Sequence, residues 1–219
     1  DIKIGYDYDA LIVTGPNTGG KTVAIKTVML NCIMAQCGLH VTCKQADICM
    51  NSSYLCDIGD GQNLSENLST FSSHIANVLE VLSIADENSF VIMDELGSGT
   101  DPTEGMGIAI AILEELRKSG ASFLVTTHYP EVKEYAARTE GILNARMVFD
   151  KETLRPTYQL IIGAAGESCA FYIADRLGMP NEMLRVAISA AYGEEAIKDY
   201  TFQKDESQII KQKGNKVRK

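Results

Sequence analysis

Residues 15–22 read GPNTGGKT, a set of glycines and a Lys-Thr pair at the spacing that cradles nucleotide phosphates. The glycines let successive backbone N–H groups converge on phosphate oxygens. Lys21 reaches the β- and γ-phosphates, and the Thr22 hydroxyl is a ligand for Mg²⁺. The predicted nucleotide-binding run is Gly15, Pro16, Asn17, Thr18, Gly19, Gly20, Lys21, Thr22 and Val23, with a nucleoside triphosphate as ligand and Mg²⁺ as its cation. Two further points along the chain offer matching chemistry. Asp94-Glu95 follows the apolar run Phe90-Val91-Ile92-Met93, and His128 follows Phe123-Leu124-Val125-Thr126-Thr127. Asp94 suits the carboxylate that holds Mg²⁺, leaving Glu95 to polarise an attacking water, and His128 to bond the γ-phosphate or orient that water.

For these residues to meet, the apolar runs before them must be parallel strands of one sheet, because ligands gather at the carboxyl ends of such strands. The pattern agrees. A strand over Ala10–Thr14 is followed by a helix to about Cys37 with Gly38 as its stop, and a helix from about Thr103 to Lys118 lies between strands Phe90–Met93 and Ser122–Thr127. Continuous apolar runs, in place of alternation, predict strands buried on both faces. Short strands are expected at His40–Cys43 and Tyr54–Ile58. A helix is predicted from Ser69 to about Ala85, its apolar face made by Phe71, Ile75, Val78, Leu79 and Leu82. Pro130 suits the first turn of a helix to about Arg138, and Ile142–Phe149 with Thr157–Ile162 reads as an antiparallel pair. Helices over Ser168–Leu177 and from Asn181 close the pattern. Ser69-Thr70 at a helix start reads equally as an N-cap and as a second phosphate contact.

The fold class is thus α/β, with a mainly parallel central sheet covered by helices on both faces, some antiparallel strands late, and a helical C-terminal segment. The expected division is a nucleotide-binding core at 1–165, helices at 166–195 and a charged tail at 196–219. At 219 residues and 45% hydrophobic, the chain can bury a full core. No stretch approaches the ~18 apolar residues of a membrane span and no basic-then-apolar leader opens the chain, so a cytoplasmic location is expected. The six cysteines form no C-x-x-C pair and are expected as reduced, mostly buried thiols. Net charge is −9, yet Lys211, Lys213, Lys216, Arg218 and Lys219 bring five positive charges to the last nine residues, which leaves −14 on the body. Such a body is a poor partner for phosphate backbones, so any nucleic-acid contact is expected largely outside this chain.

Four blocks in this order resemble the ATPase domain of the MutS mismatch-repair superfamily: GPNTGGKT, LSTFSSHI (68–75), VIMDELGSGTDPTEG (91–105) and TTHYPEVKEYA (126–136). Thr18, Thr22-Val23, Asp101-Pro102-Thr103-Glu104 and the run LIIGAAGESCAFYIADRL (160–177) are most like the second bacterial branch, endonuclease MutS-two. The resemblance implies a P-loop ATPase of the ABC type working as a homodimer, with nucleotide sandwiched between the phosphate loop of one subunit and the signature helix of the other. Ser69 and Thr70 would then meet the γ-phosphate across the interface, Gly97–Asp101 would face the partner, Gln62 would lie on a coupling loop, and the helices after Gly163 would dimerise. Members of the family carry clamp and lever domains and, in this branch, a nuclease-like Smr domain. The chain resembles an excised fragment without them, and no nuclease residue is assigned here.

Two functions follow from these expectations. One is an Mg²⁺-dependent ATPase whose dimer-linked cycle drives clamps on branched or mismatched DNA. The other is a nucleotide-gated dimerisation module with little turnover, acting on DNA junctions or stalled ribosomes. A transporter- or SMC-type ATPase would instead carry an LSGGQ-like signature where this chain has Asn67-Leu68-Ser69-Thr70-Phe71.

Overall fold

A computed structural model of the chain describes residues 1–59 and 70–202. Its first compact unit, Asp1–Asp150 with Arg155–Glu167, is built on one sheet. The strands are β1 (Ala10–Thr14), β2 (Ser53–Asp57), β3 (Ser89–Met93), β4 (Ser122–Thr126), β5 (Ile142–Asp150) and β6 (Arg155–Ile162), in the spatial order β2-β3-β4-β1-β5-β6. All neighbours run parallel except β5 and β6, which pair antiparallel with an irregularity between Met147 and Phe149.

Alternation along each strand divides the core in two. Ala10, Ile12, Val91, Met93, Phe123 and Val125 face helices α2 (Thr70–Ile84), α3 (Pro102–Ser119) and α4 (Pro130–Arg138). Leu11, Val13, Phe90, Ile92 and Leu124 face α1 (Lys21–Gln36) through Ile25 and Met29. Both faces are covered, so the apolar runs need no polar alternation. Burying each Leu or Ile stabilises by roughly 1.5–3 kcal/mol, which holds both faces of the sheet against their covering helices.

Helix ends follow local chemistry. Asp101 caps α3 by accepting from the N–H groups of Thr103 (2.9 Å) and Glu104 (3.2 Å), Pro102 fills the first turn, and Gly120 ends it at φ 79°. The expected strand at His40–Cys43 does not form. There the chain is irregular, and Thr42 donates its N–H to the Asn31 side chain (2.7 Å) instead of to a ladder. On α2 the buried stripe contains Val78 and Val81, whereas Leu79 is 61% exposed. One residue past Val78, its side chain is turned about 100° away from the core. The cysteines are not mostly buried: Cys37, Cys43, Cys49 and Cys56 are exposed and the other two half-buried. Cys43 and Cys49 lie on the irregular surface segment, and Cys56 on edge strand β2.

The second unit comprises Lys151–Leu154 and the residues from Ser168 on. It holds α5 (Ala170–Arg176), α6 (Asn181–Tyr192) and α7 (Ala196–Asp199). Helix α5 starts at Ala170, two residues later than expected, because Cys169 (φ −116°, ψ 13°) is outside helical geometry. Phe171 meets Tyr192 edge to face at 5.8 Å, and Leu184 and Ile188 of α6 are buried. Among the described residues, no helix is long and apolar enough to cross a membrane.

Candidate active site

The chain leaves β1 at Thr14 and turns through Gly15 (φ 135°), Pro16 and a single 3-10 turn over Asn17–Gly19 into α1. Gly20, at φ 84°, joins the two helical pieces in a left-handed conformation that favours glycine. Helix α1 has no side-chain cap and no acid in its first turn, so its leading N–H groups face outward as an anion cradle. Thr18 and Val23 are exposed beside it and Gly19 is buried. Lys21 is only 3% exposed and donates to the carbonyls of Gly15 (2.9 Å) and Pro16 (3.3 Å). Burial lowers its pKa, an effect countered in part by the charges of Glu95 and Asp94.

Asp94 and Glu95 leave the end of β3 beside this loop. The Thr22 hydroxyl donates to Oδ2 of Asp94 at 2.6 Å, and the Thr126 hydroxyl donates to Oδ1 at 2.5 Å. Glu95 sits at φ 50°, a left-handed conformation uncommon outside glycine, with its N–H bonded to the Thr126 Oγ1 (2.7 Å). His128 Nε2 lies 3.4 Å from the Glu95 carboxylate, both side chains a little under half exposed. Burial first, then the Lys21 charge, pushes the His128 pKa below its ordinary value, so the ring is neutral at pH 7. Lys21, Thr22, Asp94, Glu95 and His128, chosen from three separate strand ends, therefore stand together. Thr70 opens α2, whereas Ser69, Gln62 and residues 63–67 lie outside the described residues.

The segment after Glu95 is fixed against α3 and α4. Tyr129 donates its hydroxyl to the Gly97 carbonyl (2.8 Å), and a Cβ on Gly105 would overlap both that carbonyl oxygen and the Tyr129 hydroxyl. Gly105→Ala is therefore expected to lower stability by about 1–3 kcal/mol, read as a shift in denaturant midpoint; an unchanged midpoint would show that the loop can leave α3.

Several contributors were not legible as site residues. Thr126 stood in a recognised block without a role. His74 bonds Asp57 (2.9 Å), whose other oxygen accepts from Asn77 (2.7 Å). Asp57, His74, Asp94 and Glu95 line one small cavity. Nothing in the period of β2 or α2 marks that pairing, which depends on the helix lying across the strand end. Gly166 approaches the loop from far along the chain. Its N–H donates to Thr14 Oγ1 (2.6 Å), its carbonyl accepts from Lys133 (2.7 Å), and a Cβ there would stand 2.8 Å from the Gly15 nitrogen. Tyr158, at φ 55° and 61% exposed, holds its ring 2.9 Å from where a Gly20 Cβ would lie. Only the turned-back β6 brings it there. His40 is exposed and lies on the irregular segment.

The chain is similar in sequence to known proteins. The profile of MutS domain V matches residues 11–193. An endonuclease MutS2 of Clostridium botulinum (strain Loch Maree / Type A3) is 52% identical over 187 residues, 85% of this chain and 24% of that protein. The endonuclease MutS2 of Halalkalibacterium halodurans is 49% identical over 188 residues, with the same coverage, and that of Lachnospira eligens 52% over 185. The chain thus spans about a quarter of the length of these relatives (24%). With the profile running from β1 to the end of α6 over a phosphate loop at the edge of a parallel sheet, the chain belongs to the MutS domain V family, a family of P-loop ATPase domains.

Proposed function

We propose that this domain binds ATP at the loop Gly15–Thr22 and hydrolyses it, two copies completing one another's sites. The convergence of Lys21, the Thr22–Asp94 pair and the Glu95–His128 pair at one sheet edge carries this reading. The Thr22 hydroxyl and Asp94 carboxylate are hard oxygen donors of the kind Mg²⁺ takes beside phosphate oxygens, so these residues fit that ion. When bound, it would neutralise charge on the β- and γ-phosphates. Lys21 and the uncapped N–H groups of α1 hold the phosphates. Glu95 accepts the proton of the attacking water, and neutral His128 orients Glu95 and that water.

Ser69 and Thr70 would complete the γ-phosphate site of the partner copy, and the segment 166–195 would join the copies. Exposed Leu177 (75%), Met183 (56%) and Val186 (70%) support an apolar joining surface. DNA or ribosome contacts, and any cleavage of the kind named in the relatives' "endonuclease", would fall to other segments of a longer polypeptide, in keeping with the acidic body of this chain. The test measures dimerisation and turnover together. ATP is expected to give both, and a non-hydrolysable analogue dimer alone. Dimerisation by ATP with no turnover would replace this reading with a nucleotide-gated module.

An exposed ring held over the phosphate loop is also suited to stack on the nucleotide base. Tyr158→Ala is expected to weaken ATP binding about tenfold, the lower range of base–aromatic stacking. Tripolyphosphate, which has no base, should bind as before; equal loss for both ligands would assign Tyr158 to loop support alone.

A further inference from the structure

We infer that Thr126 is a positioning residue for the hydrolytic carboxylates, setting the Mg²⁺-holding orientation of Asp94 and the turn that aims Glu95. The inference rests on the ATPase reading above. Thr126 ends β4, is fully buried, and serves three consecutive residues of the neighbouring strand end. Its hydroxyl donates to Asp94 Oδ1 (2.5 Å) and accepts from the Glu95 N–H (2.7 Å), while its carbonyl accepts from the Leu96 N–H (3.0 Å).

The consequences are geometric. A carboxylate at the end of a strand can rotate about two side-chain bonds. With Oδ1 tied to Thr126, Oδ2 is left facing the Thr22 hydroxyl, where it is found at 2.6 Å. One buried hydroxyl thus decides which oxygen of Asp94 is presented to the phosphate loop. The same oxygen anchors the N–H of Glu95 in its left-handed conformation at φ 50°. A non-glycine residue keeps such a conformation only where surrounding bonds over-determine it. Loss of the hydroxyl would release both carboxylates at once, whereas Lys21 and its loop, bonded to Gly15 and Pro16, would be untouched.

Thr126→Val keeps the volume and branched shape of the side chain and removes both hydroxyl bonds. In this variant kcat is expected to fall roughly 10- to 100-fold with little change in KM for ATP. The Mg²⁺ concentration at half-maximal ATP binding, measured with a fluorescent analogue in the absence of turnover, should rise several-fold. Amide hydrogen exchange at Glu95 should also quicken. Thr126→Ser, which restores the hydroxyl, is expected to recover all three. If Thr126→Val does not fold, Thr126→Ala against Thr126→Ser gives the same comparison. Wild-type kcat and Mg²⁺ dependence in the hydroxyl-free variants, or equal losses in Thr126→Ser, would overturn the inference, as would Mg²⁺-independent binding in the unmodified protein. Lys21→Ala separates the two levels: if it leaves ATP binding intact the site reading itself fails, and if it abolishes binding while Thr126→Val is silent only the inference fails.

Discussion

Glu95→Gln is expected to lower ATP turnover by about 10²- to 10⁴-fold, the range a positioned general base contributes, while nucleotide still binds. The substitution keeps the shape of the side chain and removes its ability to take a proton. Asp94 is not placed to substitute. Its two oxygens are engaged by Thr22 and Thr126, and its orientation serves the phosphate loop instead of open solvent. The Glu95 carboxylate is 45% exposed, where a water can reach it, and stands 3.4 Å from a ring nitrogen of His128. Because His128 is held neutral, it can orient Glu95 without neutralising its charge. Single-turnover hydrolysis together with sizing in ATP checks the result. A slowed variant should accumulate as nucleotide-bound dimer, and turnover at the wild-type rate would remove Glu95 from the mechanism.

Lys21→Ala is expected to weaken ATP binding about 10²-fold and to abolish measurable turnover. Hydrogen bonds to charged groups are worth about 1.5–3 kcal/mol each, and one ammonium supplies more than one of them to a polyphosphate. The cost of burying that ammonium belongs to the fold itself, and burial lowers its pKa. Its removal is therefore expected to change the stability of the free protein little, since two loop carbonyls lose a donor while a buried charge disappears. The contrast lies in the response to ligand. At an ATP concentration of about 100 times Kd the unmodified protein gains roughly 2.7 kcal/mol, seen as a higher Tm. In Lys21→Ala the same concentration should give almost no shift. An undiminished shift would place the nucleotide elsewhere.

The amino-acid sequence by itself determined the strands and what stands at their ends. Buried parallel strands are written as short continuous apolar runs, so Ala10–Thr14, the stretch ending at Met93 and the stretch ending at Thr126 were legible. Phosphate chemistry needs consecutive residues in a fixed order, so Gly15–Thr22 could be found without a fold. Asp94, Glu95 and His128 were legible for the same reason: each follows a strand directly, and parallel strands deliver their ends to one edge.

Tertiary structure alone decided the bonds between those ends. Thr126 lies next to Asp94 because Met93 is in register with Val125, a pairing between strands separated in the chain by all of α3. Asp57 and His74 are joined by a helix crossing a strand end, Gly105 and Gly97 by two backbones in contact, and Gly166 and Thr14 across 152 positions of chain. The exposure of Leu79 and of four cysteines was likewise set by which surfaces found a covering layer. Local sequence specifies which group is available and where its strand ends. Which hydroxyl meets which carboxylate depends on long-range packing, because the pairing of β3 with β4 decides which strand-end residues face one another.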